Sequence, residues 1–504
     1  MVVNGALGIA AFTQQLTLIA DNNRILEVDA DGSAVWSSDA TTRIGVNGSR
    51  TKVDFAHPSA LAQFAPNDYL VADTGNNRCV RFDRGGGVLW ELTHFYDPSA
   101  LLAPGQPRTL SQPTSVEVRR EAFSYPDPVS QKQLTGQLVH YLVADTGNDR
   151  IVEVTDTLDS AGNVLYFDLN GSVVASGAIN SVTHDHLLTW VTHTGDKYGR
   201  RYHYVGASYL SVPSATAGGL NSLEVFALVT NTRIATPTQV SPQVYALAPA
   251  SGDAPGGSIV AFNRPLAPNP YSLLGPNEND LVYVATSFTA AVTTGSGASA
   301  TMALQTFPVR NPRFLHVFAP PPTPSMPFQY SFLYADGNGA FDLVYTGATT
   351  PPTSYGLAFT QADYRNMSLP SPSAPNGVSA DLPGNLPLRN GAPASGSIPK
   401  VAPIPFVPTC VQRLNNDATN IPGINHIERY LITQSYSQGE LARLPGLPAA
   451  TRLGGEIFEV DVSTTAAGIS TIDPVGGFAG AVTLSRPVGA GPLTQPTYAI
   501  RTTQ

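Results

Sequence analysis

The sequence predicts an all-β fold: one body of repeated four-stranded antiparallel units. Three observations carry that reading. The chain writes nearly the same phrase three times, as "TLIADNNR" at 17–24, "YLVADTGNNR" at 69–78 and "YLVADTGNDR" at 141–150. It contains 45 Gly and 43 Pro among 504 residues, so it turns often and has little room for long helices. Its apolar runs are short, and several alternate with polar residues, the period of a strand with one covered face.

The repeat fixes each element in order. Unit one runs from Leu7 to Trp36, unit two from Pro58 to Trp90, and unit three from Pro113 to Leu169 with an internal insertion. Each begins with a short apolar strand, "LGIAAF" in unit one. "LIAD" or "LVAD" forms a second strand, and the "TGNNR" turn follows. "ILEVD" or "IVEV" forms a third strand, then comes a "DG" or "GG" turn and a fourth strand ending "AVW" or "VLW". In the turn, Asp21, Asp73 and Asp145 are expected to accept amide bonds from the residues just ahead, as Asx turns. Gly75 and Gly147 supply positive φ, and Arg24, Arg78 and Arg150 reach back to a carboxylate or carbonyl. This reading makes the phrase a structural device, since a catalytic site rarely needs the same residues in every unit. Four antiparallel strands per repeat describe the blade of a β-propeller.

The string "VADTGNNR", followed by an alternating strand ending in Asp and a Gly turn, resembles the NHL repeat of β-propellers. The endings Asp29–Trp36 and Asp83–Trp90 also resemble arylsulfotransferase-type propellers. The likeness spans about residues 5–170. Beyond it, "FLYADGNGAFDLVY" (332–345) echoes the second and third strands, with Ala340 in place of the Arg. "LNSLEVFAL" (220–228) and "GGEIFEVDV" (454–462) echo the third strand and "RYLITQ" (429–434) the second, while "PRFLHVFAP" (312) and "PTCVQRL" (408) read as first strands. The expectation is a single domain over 1–504 with six blades, near 5–50, 55–105, 110–175, 180–240, 241–347 and 400–480; seven follow if 240–310 divides.

Function is sought where the repeat breaks. Residues 121–139 read as an inserted loop on one face. Residues 183–204 hold four of the nine histidines, His184, His186, His193 and His203, along with Trp190, Arg200 and Arg201. His184 and His186 share one strand face, a spacing compatible with zinc or copper but without an obvious third ligand. The candidate binding set is His184, His186, Trp190, His193, Arg200 and Arg201, with no metal, no cofactor and no catalytic residue assigned. Sulfotransferase-like propellers use His and Arg in the central channel. Here His57, His94 and the 184/186 pair are the candidates, and that family's catalytic motif is not matched. Residues 319–327 read as polyproline II, and the Pro-rich stretch 368–408 as a surface loop. The ending "LTQPTYAIRTTQ" (493–504) echoes "LSQPTSVEVRRE" (110–121). It is a ring-closing strand, a strand added to another subunit, or the start of a further blade.

Charged residues make up 13% and net charge is −9 with no basic stripe, which argues against nucleic acid. No apolar run reaches a membrane span. Cys79 fills the slot of Ile25 and Ile151 and reads as a small buried hydrophobe; a pair with Cys410 stays open. The near-absence of Lys and the wealth of Ser, Thr, Gly and Pro suggest a secreted, periplasmic or cell-surface protein. Two functions from different classes stand. One is a non-enzymatic extracellular binding, scaffold or assembly module that engages a protein partner or itself. The other is a propeller hydrolase, lyase or sulfotransferase with a His-containing channel site, with or without a metal. The first is preferred.

Overall fold

The computed structural model describes residues 16–38, 42–44, 50–52, 54–84, 87–97, 101–102, 104–126, 132–160, 164–167, 173–177, 186–192, 202–213, 220–230, 238–241, 244–246, 256–264, 281–294, 301–318, 330–345, 353–354, 357–366, 406–417, 426–435, 454–464, 470–475, 483–484, 487, 489–491 and 493–502. The "LGIAAF" stretch, the polyproline stretch 319–327 and most of 368–408 lie outside them. Described structure is almost wholly β, with one short helix, Gln361–Asn366.

Six antiparallel sheets form six blades of a β-propeller. Their innermost strands are Pro496–Thr502, Pro58–Ala65, Pro113–Pro126, Tyr204–Pro213, Phe314–Phe318 and Pro408–Asp417, for blades one to six. Each innermost strand packs against the next, and the sixth packs against the first, so they close a ring. Blade one is composite: Leu16–Asp21 pairs with Arg24–Val28 on one side and with Pro496–Thr502 on the other, with Ile19 opposite Ala499. The innermost place of that sheet therefore belongs to the C-terminal strand rather than to "LGIAAF". Blade four places Leu220–Val229 second, between Tyr204–Pro213 and Ser258–Arg264, rather than third as its sequence echo suggested. The stretch expected to loop out at 121–139 instead continues the first two strands of blade three as a ribbon, paired as far as Pro126 and Gln133.

The repeated phrase is a staple, and its geometry differs from the expected local turn. Asp73 Oδ1 accepts the amide of Ala56, seventeen residues earlier, at 2.8 Å, while Asn76 and Arg78 Nε hold Oδ2 at 2.9 and 2.7 Å. Asp145 repeats this with the Ser111 amide at 2.7 Å, Asn148 at 2.9 Å and Arg150 Nε at 2.7 Å. Asp21 accepts the amides of Thr494 and Gln495, both at 2.7 Å, and Arg24 Nε at 3.0 Å. In each case the carboxylate grips the chain just before it enters the innermost strand of the same blade. The echo between 493–504 and 110–121 thus marks two equivalent entries, one of them shared between the two ends of the chain.

The positive φ of this turn falls on Asn77 (56°) and Asp149 (55°), not on the glycines. Gly75 and Gly147 serve closeness. A Cβ on Gly75 would lie 2.8 Å from the Ala56 oxygen, and one on Gly147 would lie 2.3 Å from Ser111 Oγ. Gly147→Ala should therefore lower stability by about 1–3 kcal/mol, read as a shift in denaturant midpoint with unchanged slope. In blade five Gly339, not Ala340, pairs with Asp336 as Arg78 pairs with Asp73. Without the arginine, burial pushes the Asp336 carboxyl up to about 6, against hydrogen bonds from Asn338, Arg310 and Tyr334 that hold it down.

Alternation in the third strands suggested one covered face, but Arg150–Leu158 is buried at every position. Neighbouring blades cover both faces of the sheet, so the "polar" positions are interior too. They carry the carboxylates that join blades. Glu27 accepts the Tyr69 hydroxyl at 2.7 Å and pairs with Arg84 at 2.7 Å. Glu153 accepts the Tyr209 hydroxyl at 2.8 Å and Arg264 Nη2 at 2.7 Å. Asp342 accepts the Tyr430 hydroxyl at 2.8 Å, and Glu459 pairs with Arg501. Such partners offset the cost of burying the carboxylates.

Candidate functional site: the central channel

The six innermost strands surround a cavity of about 300 Å³ to which every blade contributes. An innermost strand has one edge without a ladder partner, and such an edge is a liability unless covered. Here the side chains of one blade satisfy the backbone of the next. The Thr497 hydroxyl donates to the Pro58 carbonyl, Ser59 to Thr114 at 2.9 Å, and Thr114 to Val205 at 2.9 Å. Deeper in, Ser115 Oγ accepts the Ala207 amide at 3.0 Å, Ser208 Oγ the Val317 amide at 2.9 Å, and Gln412 Oε1 the Arg501 amide. In blades one, two and three the Ser or Thr after the strand-opening Pro is therefore a stitch between blades, whereas Thr409 of blade six donates to Thr433 within its own blade.

A few chemically versatile groups line the same cavity: Glu117, His316, Arg313, Gln412, Tyr498 and Arg501. Glu117 Oε2 accepts the Tyr209 amide at 3.3 Å. Burial pushes its carboxyl up to about 7, against the opposing pull of the Ser208 hydroxyl and that amide. His316 is exposed to the channel itself, but desolvation by the surrounding wall lowers it below the usual imidazole value, favouring its neutral form. Tyr498 is raised well above the usual phenol value by burial, then by Cys410 and Glu117. Arg501 is lowered by burial although Glu459 opposes the shift. A second chamber of about 300 Å³ lies at the mouth, where Ser59, Thr114, Val205, Arg313, Thr409 and Thr497 form a ring with one residue from each blade.

The candidate set from residues 183–204 is placed only in part. His186 opens the outer strand of blade three and is buried. Its Nδ1 lies 2.7 Å from Asp156 Oδ1 and its Nε2 3.1 Å from the Glu91 carbonyl. Trp90 donates to the other oxygen of Asp156 at 2.7 Å and stacks on Tyr141 at 4.1 Å. His186 therefore ties blade two to blade three, away from the channel. Trp190 is buried edge-on against Phe262 of blade four, at 6.1 Å. His184, His193, Arg200 and Arg201 lie outside the described residues. His57 is exposed at the entry to blade two with φ 50°, and His94 bonds Thr93 at 3.0 Å; neither lines the cavity. Among the described residues no group of three or more His, Cys, Asp or Glu is arranged to hold a metal ion, and no helix is long and apolar enough to cross a membrane. Both cysteines are free and buried: Cys79 in the third strand of blade two, Cys410 in the innermost strand of blade six.

Glu117 and His316 escaped the sequence reading of the site, although both sit in strands it singled out. "SVEVRR" and "PRFLHVF" were recognised as first strands, and first strands are what line a propeller channel. The signal was a titratable residue within such a strand.

Comparison with known proteins adds little beyond the architecture. No protein-family model and no curated protein matches the chain. Among solved structures it is similar to Drosophila Semaphorin 2a, at 9% identity and a TM-score of 0.32, with 97% of this chain and 74% of that one covered. A likeness this distant carries no functional argument, and the blade assignment rests on strand pairing alone.

Proposed function

We propose that the chain is a non-enzymatic, NHL-like propeller that works outside the cytoplasm as a binding and assembly module. The observation that carries the reading is a β-edge with no strand on its outer side among the described residues. Strand Thr301–Pro308 ends the sheet of blade five, pairs on one side with Ser287–Thr294, and is exposed at all but one position. Leu304 is 61% and Met302 39% exposed. The whole hairpin 287–308 carries no Asp, Glu, Lys or Arg, the charges with which edges are usually guarded. An uncharged edge meets its own two-fold copy without repulsion, so the occupant is a second copy of this chain, paired strand to strand. The C-terminal strand, the other candidate for exchange, is engaged within blade one. Placement outside the cytoplasm rests on composition, and the NHL likeness on the phrase at 69–78 and 141–150.

Light scattering across a concentration series tests this. The parent chain should gain mass with concentration, and Met302→Lys with Leu304→Lys should stay monomeric. A parent that is monomeric throughout, or a double variant that associates equally, contradicts the edge-pairing assembly.

One observation favours the enzymatic alternative, the presence of Glu117 from blade three and His316 from blade five in the lining of one cavity. Hydrolytic or transfer activity lost in His316→Ala with the fold intact would establish it.

A further inference from the structure

We propose that the central channel binds a small organic cation, a primary ammonium on a short apolar body, with Glu117 as its counter-charge. Glu117 lines the cavity, and the same lining carries the apolar residues Ala60, Ala62, Val116, Ala207 and Leu315. Burying an anion among such groups is costly unless it is paired. Most buried carboxylates here have a cationic partner: Asp73 has Arg78, Asp145 has Arg150, Glu153 has Arg264 and Glu459 has Arg501. Glu117, partly exposed to the cavity, has no such partner among the described residues. Only the Ser208 hydroxyl and the Tyr209 amide offset its burial.

The other titratable or charged groups on the wall are His316, Arg313, Arg501, Tyr498 and Cys410. His316 is shifted toward its neutral form, and burial raises Cys410 up to about 12 and Tyr498 well above its usual value, so none of the three is shifted toward a positive charge. Arg501 is held by Glu459, and Arg313 lies at the mouth ring. Neither arginine contributes to the balance at Glu117. A ligand ammonium would supply the missing charge, and its short chain would lie on the apolar wall. The cavity sits at the small end of ligand pockets, about 300 to 1,000 Å³, which limits the ligand to a few carbons.

The site is independent of the blade-five edge, so either proposal can fail alone. Calorimetric titration of the full chain with n-butylammonium at pH 7.5 tests it, beside n-butanol and butyrate of equal length. The ammonium should bind at least tenfold more tightly than either analogue. Its affinity should fall as the pH drops below about 7, where Glu117 takes up a proton. Glu117→Gln keeps an acceptor for the Tyr209 amide and should weaken the ammonium at least tenfold. Equal affinities for the three probes, absence of ammonium binding, or unchanged binding by a folded Glu117→Gln would overturn the proposal. The probe comparison on the parent chain stands even if the variant fails to fold.

Discussion

Removing residues 494–504 should abolish cooperative folding of the ring. The deletion takes away the innermost strand of blade one and the Thr494 and Gln495 amides that Asp21 accepts at 2.7 Å. It also removes Arg501 from Glu459, exposing a buried carboxylate. Blade six and blade two lose the strand between them, since Pro496–Thr502 packs against both neighbouring innermost strands. The cost should match the whole stability of an ordinary domain, about 5 kcal/mol or more. Near-ultraviolet circular dichroism would report it as a lost or strongly lowered transition.

The second large effect belongs to Glu153. Its side chain is fully buried and holds Arg264 and Tyr209 from blade four, with Thr189 at 2.8 Å from its own blade. Glu153→Gln leaves Arg264 buried without its counter-charge and should cost about 3–5 kcal/mol. The pH dependence has two limbs. Burial pushes the Glu153 carboxyl up, but Arg264 and His140 outweigh burial and hold it well below the usual range. That contribution is present above the ordinary carboxylate pKa and is lost as pH falls through the depressed folded value. His140 moves the other way: burial lowers it, but bonds from Glu121 and Glu153 win and raise it. Its contribution is full below about 6.5 and is lost as pH rises through the raised folded value. The network is thus strongest between about pH 4.5 and 6.5, and thermal midpoints against pH should show a maximum there. The Gln variant should show a smaller alkaline limb, because His140 loses one of its two carboxylates and keeps Glu121.

The architecture was legible because the repeat is written in backbone logic. "LVAD", the Gly turn and the alternating third strand each state a local conformation, and together they state a blade. Six of them were countable even where the phrase had decayed, since "FLYADGNG" keeps the Asp and Gly while the Arg has gone. Long-range geometry was not legible. Nothing local says that Asp73 reaches back to Ala56, or that Gly75 is needed for closeness rather than for φ. The alternation in "RIVEV" could not show that a second blade covers Glu153. The site was obscured for a related reason. A histidine-rich stretch signals chemistry by composition, yet His186 is spent on Asp156 between blades. Single residues such as Glu117 gain importance only when six strands meet around them.

Closure of the ring by strand Pro496–Thr502 is tested by a cross-link between Leu18→Cys and Ile500→Cys. These positions face each other in the pairing of blade one, within the reach of a disulfide, and the two native cysteines are buried. A disulfide should form rapidly at low protein concentration, with the product at monomer mass and a raised melting temperature. Cross-linked dimers, or no cross-link in a folded protein, would contradict that closure.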